Sequence, residues 1–134
     1  MRNRGFSLIE LIAVLVILGL LASIIGPRIV GWVSKSRTPV TEVQLSHLET
    51  GLEMFNLDIG RYPTTQEGLE ALLRDPGLER WDGPYLKKES LPIDPWHRKY
   101  LYLSPGNHGD YDLWSLGADG LEGGDGENAD ITSW

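Results

Sequence analysis

Apolar positions follow three successive regimes along the chain. From Leu11 to Ile25 no residue is charged, and the apolar run begins at Phe6 with Glu10 as its single interruption. A helix rises about 1.5 Å per residue, so Phe6 to Ile25 predicts one helix able to span a hydrocarbon core of roughly 30 Å. After Pro27 the chain turns polar, and apolar residues recur at Val40, Val43, Leu48, Leu52, Phe55 and Ile59. Those spacings predict one face of a helix that continues, with interruptions, to about Asp58. Gly26-Pro27 should weaken it, and Thr38-Pro39 predicts a kink between 34 and 42, because proline lacks the N–H and crowds the preceding turn.

Gly60 to Leu72 reads as a turn, a cap and a short helix. Thr64 or Thr65 can cap, and Glu67 lies three residues beyond Thr64, as a capping box requires. Residues 74–98 hold Pro76, Gly77, Gly83, Pro84, Pro92 and Pro95 and predict a loop. The third regime follows. Lys99–Leu103 and Tyr111–Ser115 predict two short aromatic strands joined through Ser104-Pro105-Gly106-Asn107-His108-Gly109.

Composition narrows what this pattern can be. Of 134 residues 41% are hydrophobic, but many of these lie in the first thirty. About 100 residues remain to fold in water, a size of marginal stability. There is no cysteine, so no disulfide can fasten long loops, and a bound metal is one candidate for that task. The net charge of −7 argues against nucleic acid, whose phosphates need clustered Lys and Arg. Arg2 and Arg4 precede Phe6 with no acid between, which places the start on the cytoplasmic side and the rest outside. From Asp110 onward there are acids but neither Lys nor Arg. A cleaved secretory signal fits poorly: the basic residues abut Phe6, Glu10 interrupts the run, and Gly26-Pro27-Arg28 is not a small-x-small site.

Glu10 is the anomaly. A carboxylate at membrane depth is costly and marks a functional position unless it snorkels to the interface. Its natural partner would be an α-amino group created by cutting before Phe6, in its own or a neighbouring subunit.

Gly5-Phe6-Ser7-Leu8-Ile9-Glu10 before a long apolar run resembles the processing signal of type IV pilins and pseudopilins. The resemblance implies that a prepilin peptidase cuts after Gly5, that Phe6 is then N-methylated, and that Glu10 serves filament assembly. Gly60-Arg61-Tyr62-Pro63-Thr64-Thr65, Asp94-Pro95-Trp96, Leu103-Ser104-Pro105-Gly106, His108-Gly109 and Ser115-Leu116-Gly117 follow in the order found in major pseudopilins of type II secretion. The likeness therefore runs from Gly5 to the end.

The tail from Ser115 to Ile131 is rich in glycine and acids. Repelling carboxylates there form a solvated loop unless a cation gathers them. Calcium takes six to eight oxygens, including carbonyls that glycines let turn inward, but the spacing of Asp119, Asp125 and Asp130 is not that of an EF-hand. The resemblance implies calcium, bound through an Asp after Ser115-Leu116-Gly117 and an adjacent Asp pair before an Ile. Asp119 and Asp130 match the first and last of these, whereas Ala129 breaks the pair. Asp125 is the expected substitute, with Glu127 as second choice, and the carbonyls of Leu116 and Leu121 would complete the site.

His47, His97 and His108 lie in separate elements without metal spacing, and no nucleophile or phosphate-loop motif occurs. Trp32, just past the apolar run, suits an interfacial anchor. The expected architecture is α+β and type IV pilin-like: a long N-terminal transmembrane and filament helix, a short helix, and a small antiparallel sheet with a calcium-bound loop. Residues 1–5 would be the leader, 6–27 the transmembrane and filament-core segment, and 28–134 the periplasmic pseudopilin domain. The implied role is a non-enzymatic subunit of the type II secretion pseudopilus, a homo-oligomeric helical filament driving export of folded proteins across the outer membrane. Its partners would be other pseudopilins, the prepilin peptidase, an inner-membrane assembly platform and the membrane, with no nucleic acid. The alternatives are a type IV pilin of a surface fibre and a membrane-tethered periplasmic enzyme or binding domain.

Overall fold

The computed structural model describes residues 5–134, leaving aside the side chains of residues 25–36. Contacts divide the chain between Lys35 and Ser36 into two units. A single helix, α1 (Leu8–Ile59), contributes to both.

In the first unit the large apolar side chains of α1 from Leu8 to Ile24 are exposed. Among the described residues no helix is long and apolar enough to cross a membrane. The apolar run of the sequence passes from Ile24 to Ile25, where the described side chains stop.

In the second unit α1 buries Thr41, Leu45, Leu48, Leu52 and Phe55. These recur at alternating spacings of four and three, which keeps them on one face. Val40 and Val43, expected on that face, are instead 47% and 55% exposed. At about 100° per residue, Val43 stands roughly 140° away from Leu48, so it cannot share its stripe. Thr41 takes the buried place because its hydroxyl donates to the Arg37 carbonyl at 3.0 Å, removing the cost of an unpaired polar group. The helix assignment of α1 is continuous through Pro27 and Pro39. Each proline removes one rung, and the flanking turns keep theirs.

Gly60 ends α1. With φ of +86° it adopts the left-handed conformation that glycine reaches without strain, and its N–H donates to the Asn56 carbonyl at 2.8 Å. The capping box then forms as expected: Thr64 Oγ1 accepts from the Glu67 N–H, and Glu67 Oε2 accepts from the Thr64 N–H. What it opens is a turn and the short helix expected, a four-residue 3₁₀ segment, Leu69–Leu72. Ala71 and Leu72 are buried, and Gly51 of α1 lets Leu72 and Leu86 approach: a Cβ there would lie 3.3 Å from Leu72 and 3.0 Å from Leu86.

The loop of residues 74–98 is fastened by aromatic side chains. The Trp81 indole donates to the Ala71 carbonyl, and Tyr85 meets Phe55 edge-on at 5.6 Å. Near its end stands Asp94, only 2% exposed, whose carboxylate accepts from the Trp96 and Arg98 N–H groups and from the Ser115 hydroxyl. Three antiparallel strands follow in spatial order β1 (Leu101–Leu103), β2 (Asp112–Ser115) and β3 (Ile131–Thr132). Leu101 pairs with Trp114, and Ser115 with Ile131. Leu113 and Ile131 enter the same core as the α1 stripe and Tyr100.

Candidate functional site

Two regions carry the residues singled out from the sequence. At the N-terminal one, Gly5, Phe6 and Ser7 precede α1 and are exposed. Ser7 Oγ accepts from the Glu10 N–H at 3.3 Å, while Glu10 Oε2 accepts from the Ser7 N–H at 2.8 Å. This reciprocal box ties up two N–H groups at the helix start that have no partner inside the helix. The Ser-x-x-Glu spacing that forms it was readable in the sequence but was passed over. Within the described residues, then, Glu10 is engaged through Oε2 by a backbone amide two residues beyond the Gly5–Phe6 bond.

The second region is the loop between β2 and β3. Its base is closed by backbone: the Ala118 N–H donates to the Glu127 carbonyl at 2.8 Å. Gly117, with φ of +65°, lies so close that an added Cβ would sit 2.6 Å from the Ala129 carbonyl oxygen. From outside the loop Arg98 reaches in, its Nη1 donating to the carbonyls of Gly117 at 2.7 Å and Ala118 at 3.1 Å. Sequence reasoning gave Arg98 no role, and its position after the Asp94 turn carries no local signal.

The expected metal ligands divide within this loop. Asp119 is exposed and accepts from the Leu121 N–H at 3.0 Å. Asp130 Oδ2 accepts from the Gly123 N–H at 2.9 Å. Asp125 is exposed and makes no capping bond with its side chain. Leu116 follows β2 half-buried, and Leu121 is exposed. Among the described residues no three acidic or histidine side chains stand close enough together to hold a metal ion, so the Asp119, Asp125 and Asp130 set is not gathered. Two other oxygens bear on the question. Glu127 Oε1 and Asp130 Oδ1 are both shut off from solvent without a hydrogen-bond partner. A buried carboxylate oxygen without a donor is costly, and a cation or proton relieves it. The donor chemistry of these two oxygens fits a hard, oxygen-seeking ion such as calcium.

A separate acid fastens the β1–β2 turn. The Asp112 carboxylate accepts from the N–H groups of Asn107 and His108 and pairs with His108 Nδ1 at 3.0 Å. Burial pushes its pKa up, but these partners outweigh it and hold the carboxyl below its ordinary value. The His108 ring also stacks on Trp134, with centroids 4.1 Å apart.

An exposed apolar helix segment and a small α+β unit are the architecture of a pilin-like structural subunit. Residues 28–134 match the family described as type II secretion system (T2SS), protein G, and residues 1–26 match the prokaryotic N-terminal methylation motif. The type II secretion system core protein G of Pseudomonas aeruginosa is 45% identical, over 99% of this chain and 96% of that protein. Its counterpart in Vibrio cholerae is 44% identical, over 99% and 92%. A crystal structure of the major pseudopilin from the type 2 secretion system of enterohaemorrhagic Escherichia coli is similar, with a TM-score of 0.63 and 37% identity. That likeness covers 78% of this chain and 92% of that one. The chain belongs to the type II secretion system protein G family.

Proposed function

We propose that this chain is the filament-forming subunit of a type II secretion pseudopilus, held in the inner membrane by α1 until it is assembled. The carrying observation is the run of exposed apolar side chains from Leu8 to Ile24. A face of that kind needs lipid or other copies of itself to cover it. The bilayer covers it in the precursor, with residues 28–134 in the periplasm; neighbouring α1 helices cover it in the filament. Prepilin peptidase cuts between Gly5 and Phe6, Phe6 is N-methylated, and an inner-membrane platform drives the subunit out of the lipid so that folded proteins are exported.

Glu10 guides that transfer. Its Oε2 is engaged by the Ser7 N–H, and Oε1 faces no donor among the described residues. The α-ammonium of Phe6 from a neighbouring subunit supplies the missing cation, and in hydrocarbon that attraction far exceeds its value in water. Calcium, when bound, draws the loop between β2 and β3 together. The buried oxygens of Glu127 and Asp130 support this reading, with Asp119 and the carbonyls of Leu116 and Leu121 as the further ligands the family resemblance implies.

Mass spectrometry of subunits from purified filaments tests the processing. The expected N-terminus is methylated Phe6. Filaments whose subunits retain residues 1–5 would contradict it.

A further inference from the structure

Beside the buried stripe of α1 lies an open groove of about 1040 Å³. Leu48, Met54 and Leu57 line it on the helix side, and Leu86, Lys87 and Lys88 on the loop side. It is built in advance, because the Tyr85 hydroxyl accepts from the Asp82 N–H and donates to Asp58 of α1 at 2.9 Å. That bond occupies Asp58, one of two acids in the groove wall; Asp82 is the other. Met54 and Leu57 are 50% and 79% exposed, and Lys87 and Lys88 are exposed without an ion pair among the described residues.

The loop between β2 and β3 carries a counterpart. Leu121 is 67% exposed, between Asp119 and Glu122. Its tip is pinned on both sides: Asp119 accepts from the Leu121 N–H, and Asp130 accepts from the Gly123 N–H. Leu121 and Glu122 therefore project as an apolar knob beside an acid, with little ordering left to complete on docking. The knob matches the groove in both character and charge.

We propose that the Leu121–Glu122 knob of one copy docks in the groove of the next, with Leu121 against Met54 and Leu57 and Glu122 against Lys87 and Lys88. Charge favours this occupant. Of 12 Lys and Arg, four precede Ser36, whereas of 19 Asp and Glu only Glu10 does, so the unit from Ser36 onward is strongly acidic. Copies of such a unit repel unless acids of one meet cations of the next. Symmetry favours it too. The groove wall contains no residue of the tail, so the two surfaces are distinct. A contact between unlike surfaces joins copies head to tail and propagates as an open helical array where its rotation does not close a ring. The inference rests on the filament reading above and names a contact within it.

Because the chain has no cysteine, paired cysteines report the contact without background. Leu57→Cys with Leu121→Cys, in the full chain produced together with its secretion apparatus, should yield on oxidation a ladder of cross-linked copies in purified filaments. Either single variant, or Leu57→Cys paired with Ile93→Cys, should not. Separately, Lys87→Glu with Lys88→Glu should cut filament yield about tenfold, and adding Glu122→Lys should restore most of it. All these side chains lie on the surface, and an unchanged melting temperature verifies folding of each variant. Filaments in normal number with no ladder would overturn the contact and leave the subunit reading standing. So would capture of a different protein by Leu57→Cys without copy-to-copy linkage. If the wild-type chain forms no filament, the subunit reading falls and the contact falls with it.

Discussion

The guanidinium of Arg61 grips the carboxylate of Glu67 through two parallel hydrogen bonds of 2.7 and 2.8 Å. The same carboxylate caps the Thr64 N–H. One side chain thus joins the chain leaving α1 to the turn that carries Leu69–Leu72 back into the core.

Arg61, and after it the Thr64 amide, outweigh burial and hold the Glu67 carboxyl down to about 2, against an ordinary value of 4.5. A depressed carboxylate contributes stability that is fully present above its unfolded value and lost as pH falls through the folded one. Arg61 is 42% exposed, so solvent screens the pair and Glu67→Gln should cost only about 1 kcal/mol at neutral pH. Thermal melts should show the gap between wild type and variant closing between pH 4.5 and about 2. A gap independent of pH would contradict this account.

His97 holds φ at +65°, a conformation that a side chain with a Cβ adopts only at a cost. His97→Gly should therefore stabilise the protein by about 0.5–1 kcal/mol, after allowing for glycine's greater freedom when unfolded. A denaturant midpoint that stays level or falls would show that the imidazole makes a contact worth more than the strain.

If calcium is gathered by the buried oxygens, Glu127→Gln and Asp130→Asn should each abolish most of the rise in melting temperature that calcium produces over a chelator. Asp125→Asn should keep it. Loss of the calcium response in Asp125→Asn alone would return the third carboxylate to the residue first expected from the sequence.

Glu10→Ala should insert in the membrane and lose its leader, yet fail to assemble. Its capping bond to Ser7 lies within the chain, whereas the ammonium it awaits comes from another subunit. Normal filaments from this variant, counted by electron microscopy, would remove the Glu10–Phe6 pairing from the mechanism.

Legibility in the sequence followed the kind of interaction. The face of α1 was readable at Leu48, Leu52, Phe55 and Ile59, where apolar identity and burial coincide. It failed at Thr41, because a hydroxyl satisfied by the Arg37 carbonyl can be buried, while Val40 and Val43 one or two positions away stay exposed. The Thr64–Glu67 box was readable since both partners are local. β3 was not: two residues show no alternation, and Ile131 is a strand only because Ser115 is opposite it. In the tail loop the family resemblance pointed to Asp125 as the substitute for the acid that Ala129 replaces. Which carboxylate oxygens lose their water depends on how the chain folds back over Gly117, and spacing does not report that.

The central claim is that this chain serves secretion by building a filament. Its most direct test is deletion of the gene, with comparison of the culture supernatant and the surface fibres against the wild type. The account predicts exported enzymes trapped folded in the periplasm, surface pili intact, and secretion restored by the wild-type chain but not by Glu10→Ala. An unchanged supernatant with loss of long surface fibres would contradict it.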